Sequence, residues 1–270
     1  MDSDHENGFR VPLELEVGGE VPLGLLSTYV VSAIDGGCPV PVPMRVWGRS
    51  HRPVRAGDVR AEVSLLPGGG RVCIDDADGT TVDSFVTPGA VADEQLEPMP
   101  ILAADDVISK PLAEPYDAWW RSRFEVRPLP VADAGSIGLD AWVRQHGFGA
   151  EASWASLLAI DAWGLPLLAP MPMGEIVPAR LRDDAVAAPL QTFEIIVRPS
   201  ARSFDAQGWL LRRSRCTVRS SHDHLFEVGA LVTPAAERIA TYRAIRSLVR
   251  PDTSAPAAAD TDGTTDQLGG

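Results

Sequence analysis

Asp161 stands where an apolar side chain is expected. In Ser153-Trp154-Ala155-Ser156-Leu157-Leu158-Ala159-Ile160-Asp161-Ala162-Trp163, helical spacing puts Trp154, Leu157, Leu158, Asp161, Ala162 and Leu165 on one stripe. A carboxylate on such a stripe is expensive to desolvate unless it is paired, hydrated or used. One reading places it at a rim of water near the helix end. The other makes it a general base, because a carboxylate against an apolar wall has a raised pKa and accepts a proton nearer neutrality.

Other clusters carry less chemistry. Arg212, Arg213, Arg215 and Arg219 alternate in strand fashion and could meet phosphates, with a solvated sheet face as the competing reading. His222-Asp223-His224 offers two imidazoles but no third ligand nearby, so it reads as a turn rather than a metal site. The chain has no G-x-S-x-G, which leaves a serine-elbow hydrolase unsupported. Gly68-Gly69-Gly70 lacks a following Lys-Ser/Thr and a helix, and is a hairpin turn rather than a phosphate loop. Asp35 precedes Gly36-Gly37 and reads as a helix end.

These residues need elements to hold them, and the pattern predicts two cycles of one plan. Residues 1–8 read as a frayed N-terminus. A strand over 9–15, kept at an edge by Pro12, is followed by a helix over 23–35 with Leu23, Leu26, Val30 and Ile34 on one face. Strands then fall near 42–49, 57–66, 71–77 and 80–87, with Asp78-Gly79 as a hairpin signal. A proline-rich connector covers 91–117. The second cycle has strands at 124–129 and 139–144, the helix of Asp161, and strands near 190–198, 208–219, 224–233 and 238–248. The tail 251–270 has no apolar periodicity and is expected to be disordered. Three short matches support the repeat: Phe9-x-Val11 with Phe124-x-Val126, Ala33-Ile34-Asp35 with Ala159-Ile160-Asp161, and Arg52-Pro53 with Arg198-Pro199.

Composition removes several classes. The 270 residues are 45% hydrophobic and 23% charged, as in ordinary globular proteins. Net charge is −13, and seven acids at the two ends, unaccompanied by any Lys or Arg, leave −6 for the body. That argues against nucleic acid, whose binders need a basic face. Lys110 is the only lysine, so any phosphate grip must come from arginine. Cys38, Cys73 and Cys216 are odd in number and far apart, and read as small hydrophobes in a reducing compartment. No secretory signal and no apolar run of membrane-spanning length is visible, so a cytoplasmic protein with no membrane partner is expected.

The order of these segments resembles the double-hotdog acyl-CoA thioesterases of the bacterial type II (TesB-like) family, over roughly residues 9–250. The resemblance is carried by Trp142-Val143-Arg144, Leu157-Leu158-Ala159-Ile160-Asp161-Ala162, Val197-Arg198-Pro199 and Gly208-Trp209-Leu210-Leu211-Arg212-Arg213-Ser214-Arg215. Gly18-Gly19 and His51-Arg52-Pro53-Val54-Arg55-Ala56-Gly57 add to it in the first half. It implies an α+β double hotdog, two helix-on-curved-antiparallel-sheet units at 9–90 and 118–250. It also implies hydrolysis of acyl-CoA, with no cofactor and no metal. A monomer and a homodimer of double hotdogs are both open.

The family's helix Asp falls on Asp161. Its Thr falls on Pro189 and its Gln on Ala244 or Ile245, none of which can take the expected role through its side chain. Gln191 and Thr192 are the nearby polar residues that could substitute; as strand neighbours, only one can face the site. Arg212, Arg213 and Arg215 are the candidate contacts for coenzyme A. A non-catalytic acyl-CoA or lipid-binding protein is the alternative. A hotdog hydratase would need an Asp–His pair that has no counterpart near Asp161.

Overall fold

The computed structural model describes residues 5–11, 21, 23, 24, 26, 43–89, 103–109, 122, 124–129, 137–138, 140–146, 190–199, 208–219 and 224–247. Asp161 and its expected helix, Asp35, Pro189 and the tail 251–270 lie outside the described residues. Of the helix expected over 23–35, Leu23, Gly24 and Leu26 are described and helical, with Leu23 and Leu26 buried.

The first half supplies β1 (His5–Val11), β2 (Met44–Ser50), β3 (Gly57–Leu66), β4 (Gly69–Asp76) and β5 (Gly79–Pro88). The second supplies β6 (Phe124–Pro128), β7 (Ile137–Gly138), β8 (Ala141–Gln145), β9 (Leu190–Val197), β10 (Leu210–Arg219), β11 (His224–Val232) and β12 (Arg238–Ser247). Among the described residues they make one sheet in the order β1-β3-β4-β5-β2-β9-β12-β11-β10-β8-β6, with β7 pairing β10. β1 takes in His5–Gly8, which the composition of the first eight residues had marked as frayed: His5 pairs Val63 and Gly8 pairs Arg60. It ends at Val11, before Pro12, and sits at the sheet edge.

The halves meet where β2 pairs β9 antiparallel, from Met44↔Val197 to Arg49↔Thr192. Outwards from that seam each half repeats one order: β5, β4, β3, β1 on one side and β12, β11, β10, β8 on the other. β8, not β6, therefore takes the place of β1, so the Phe9/Phe124 match does not reflect topological equivalence. β6 is an extra strand folded back on β8.

Two turns show why these residues form hairpins. Asp76 Oδ1 accepts from the Asp78 N–H at 2.8 Å and Gly79 takes φ +109, a conformation that side chains resist. The Arg52 guanidinium then clamps that hairpin through Asp76 and the Gly79 carbonyl. Gly69 has no room for a side chain: a Cβ there would lie 2.0 Å from the Val86 carbonyl oxygen.

Alternation divides the sheet. An inner face carries Val63, Val72, Val82, Val86, Met44, Val46, Ile195 and Val197, all buried. At the seam the outer face carries the half-exposed ion pair Arg45–Glu194 at 3.0 Å, worth about 0–1 kcal/mol. Burying each inner apolar side chain is worth about 1.5–3 kcal/mol. The inner row, with the strand ladder, therefore holds the halves together.

A second cluster forms on the opposite side of the second half, where Trp142, Leu211, Ala230 and Val232 meet Ala104. Ala104 lies in a single 3₁₀ turn, Ala104–Asp106, of the connector. Arg127 donates to the Ala104 carbonyl at 2.6 Å, and the guanidiniums of Arg127 and Arg144 each lie over the Trp209 ring, 4.5 Å from its centroid. Among the described residues no helix is long and apolar enough to cross a membrane.

Candidate active site on the inner face of the second half

Strand alternation that buries apolar residues elsewhere buries charge here. On β10, β11 and β12 the inner rows include Arg212, Glu227, Tyr242 and Arg246, all within 3% of fully buried. Arg212 bonds Glu227 Oε1 through Nη2 and donates from Nε to the Tyr242 hydroxyl at 2.8 Å. Tyr242 donates to Glu227 Oε1 at 2.7 Å, and Arg246 Nε donates to Glu227 Oε2 at 3.0 Å. Glu227 thus collects three donors from two neighbouring strands.

Register explains the assembly. Glu227 is paired directly with Ala244, and Tyr242 and Arg246 flank Ala244 at two residues either side on the same face. The methyl of Ala244 leaves the gap into which the carboxylate reaches between them. Ala244 is buried on the inner face and Ile245 alternates to the outer one, so of the two registers considered for the family glutamine only Ala244 faces inwards.

Burial alone would push the Glu227 carboxyl up. The guanidiniums of Arg212 and Arg246 and the Tyr242 hydroxyl outweigh it and hold the group at about 2, against an ordinary 4.5. Burial pushes the Tyr242 phenol above its usual range; Arg212 opposes that and Glu227 adds to it. A depressed carboxyl contributes stability above its unfolded value and loses it as pH falls through the folded one. The contribution of Glu227 is therefore complete above 4.5 and disappears towards about 2. A urea-midpoint series between about pH 5 and pH 2 should fall more steeply for wild type than for Glu227→Gln. Parallel slopes would contradict this.

The three arginines grouped by sequence do not form one cluster. Arg212 faces inwards, while Arg213 and Arg215 face the other way and both reach Asp140, at 3.5 and 3.3 Å. Asp140 also accepts from the Ser214 N–H at 3.1 Å, fixing the entry to β8 against β10. Gln191 is half-buried at a bulge, where Leu190 pairs Arg246 and Thr192 pairs Ile245. Thr192 is half-buried and shares the outer face with Glu194. Glu227, Tyr242 and Arg246 were missed, although their signal is that of Asp161: Glu227 falls on the buried parity of Leu225-x-Glu227-x-Gly229-x-Leu231.

The first half differs. Among its described residues the first half buries no charged side chain; its buried polar side chains are Thr81, which donates to the Ile74 carbonyl at 2.7 Å, and Ser84. Cys73, on the outer side, donates to Asp83 at 3.1 Å; burial and then Asp83 push its thiol up to about 12, which leaves it unreactive. No group of three or more metal-ligating side chains occurs among the described residues.

No family model and no curated protein matches the chain. Solved structures do. A conserved protein of unknown function with a hot dog fold from Alicyclobacillus acidocaldarius matches with a TM-score of 0.69 at 14% identity, over 93% of this chain and 95% of that one. The acyl-CoA thioesterase II TesB2 from Mycobacterium marinum matches at 0.58 and 14%, over 86% and 91%. The dehydratase domain of a mycocerosic acid synthase-like polyketide synthase matches at 0.58 and 13%, over 93% and 92%. Likenesses at such identity establish architecture and not activity. The chain is a double hotdog, two units sharing one antiparallel sheet.

Proposed function

We propose that the chain hydrolyses acyl-CoA thioesters to free acid and CoA, with Asp161 positioning and deprotonating the attacking water over the inner face of the second half. The observation that carries this reading is the asymmetry of the inner face. One half presents an apolar wall, and the other a fixed set of ionised groups with two guanidiniums to one carboxylate among its described members. A rigid wall of positive balance favours charge developing on a thioester oxygen without reorganising as the reaction proceeds. The thiolate is a good leaving group, so the remaining needs are an oriented water and a base. Gln191 is the strand residue assigned to orient that water, since Thr192 lies on the outer face. Of the three arginines considered for the CoA phosphates, Arg212 belongs to the inner wall, while Arg213 and Arg215 lie on the outer face with Asp140 and could meet the phosphates only where CoA leaves the inner face.

One observation favours a non-catalytic acyl-CoA or lipid binder. Where the resemblance expects a glutamine, Ala244 offers nothing to a water, and the nearby Glu227 and Tyr242 are engaged with each other and with arginines. Release of free thiol from acyl-CoAs of graded length decides between the two, run beside dehydration of 3-hydroxyacyl-CoA. The expected result is thiol release without dehydration. Thermal stabilisation by acyl-CoA with no turnover assigns the binder, and dehydration without thiol release rejects both.

A further inference from the structure

Ser84 is fully buried on the inner face, and its hydroxyl has no hydrogen-bond partner. A buried hydroxyl left unsatisfied is destabilising, and nearly all such groups in folded proteins are bonded to something. Its described sheet neighbours supply nothing. Its cross-strand neighbours are Val72 and Gly48, and its same-face neighbours along β5 are Val82 and Val86. The Phe193 ring lies over Gly48, so close that a Cβ there would meet it at 2.5 Å. A trapped water needs two to four polar partners, which the described sheet neighbours do not provide.

The position of Ser84 gives the hydroxyl a direction of use. Register places Ser84, Gly48, Phe193, Ala244 and Glu227 in one transverse row that crosses the seam on the inner face. Ser84 is three strands from Ala244, or about 14 Å at the usual spacing of neighbouring strands. A chain whose thioester sits over the second half and whose tail follows that row passes Phe193 and reaches Ser84 inside the first half. Among the described residues, the buried polar side chains of the first half are Ser84 and Thr81, and the Thr81 hydroxyl is already committed to the Ile74 carbonyl.

We infer that Ser84 recognises an oxygen carried on the acyl chain, so that the preferred ligand is a hydroxy- or oxo-acyl thioester and not a plain alkyl one. The inference rests on the acyl-CoA reading above and deepens it. A hydroxyl serves either case, donating to a keto oxygen or exchanging bonds with a hydroxyl. The plain chain leaves Ser84 unpaired and forfeits that bond.

The test uses the full chain and matched probes: straight-chain acyl-CoAs, and the same chains with a hydroxyl or keto group moved along the tail. Thiol release gives kcat/KM, and thermal shift gives binding where turnover is absent. Wild type should prefer one oxygenated probe by about tenfold over its plain counterpart, the scale of one buried hydrogen bond. Ser84→Ala should erase that preference, leave the plain probe unchanged, and melt no lower than wild type, since it removes an unsatisfied group. A preference that survives in Ser84→Ala, or a wild type indifferent to every oxygenated probe, overturns the inference while leaving thioester hydrolysis intact. A drop in melting temperature with the preference unchanged assigns Ser84 to a bound water and also overturns it. The absence of both turnover and thermal shift with every acyl-CoA would remove the acyl-CoA reading itself.

Discussion

Glu227→Ala should lower the stability of this protein by about 3–5 kcal/mol, the usual consequence of removing one member of a buried charge pair. The carboxylate is fully buried and serves three donors at once. Its loss strips two buried guanidiniums of the anion they share, and the Coulombic attraction that offset their desolvation goes with it. Glu227→Gln should cost less, because the amide oxygen still accepts from one donor while the charge is gone. Replacing the set together, as Arg212→Met, Glu227→Leu and Arg246→Met, should recover most of the loss, since no uncompensated charge then remains. Urea denaturation with its slope checked for two-state behaviour reads all three. A Glu227→Ala midpoint within about 1 kcal/mol of wild type would show that the network is hydrated and not a sealed wall.

That network also marks where sequence reasoning stopped. The strands were legible because their signals are local: the alternation Val59-x-Ala61-x-Val63, the Asp78-Gly79 turn, and Pro12 keeping the first strand at an edge. Each needs only a few residues to be read. Arg212 and Glu227 are fifteen residues apart on neighbouring strands, and Arg246 joins from a third. They meet only because one register, Glu227↔Ala244, puts all three on the same face; a slip of one residue would send Glu227 outwards to solvent. Sequence proximity grouped Arg212 with Arg213 and Arg215; alternation separates them, but which parity faces inwards depends on Leu231 and Ala240 across the ladder. The same limit explains β1. Residues 5–8 look polar and frayed by composition, and are held as strand by the ladder to β3, which lies over fifty residues away.

Asp161→Asn should reduce thiol release from acyl-CoA by about 10²–10⁴-fold, the usual worth of a positioned general base. The substitution keeps size and hydrogen-bonding capacity but cannot accept a proton, so the loss should fall on kcat with KM little changed. If Asp161 is the base, its protonation should stop turnover, so the pH profile of wild type should carry an acid limb. Asn has no such titration, and the residual rate should lose that limb. Asp161→Ala separates base from positioning group: if the carboxylate only orients water, Asn should retain far more rate than Ala, whereas a true base leaves both equally poor. Acyl-CoA should still raise the melting temperature of Asp161→Asn, because binding does not use the proton. An Asn variant that turns over within about threefold of wild type, with its pH profile unchanged, would remove Asp161 from the chemistry. Hydrolysis would then need a base other than Asp161, and because Glu227 and Tyr242 are already engaged with each other and with arginines, the ionised wall would not be its source.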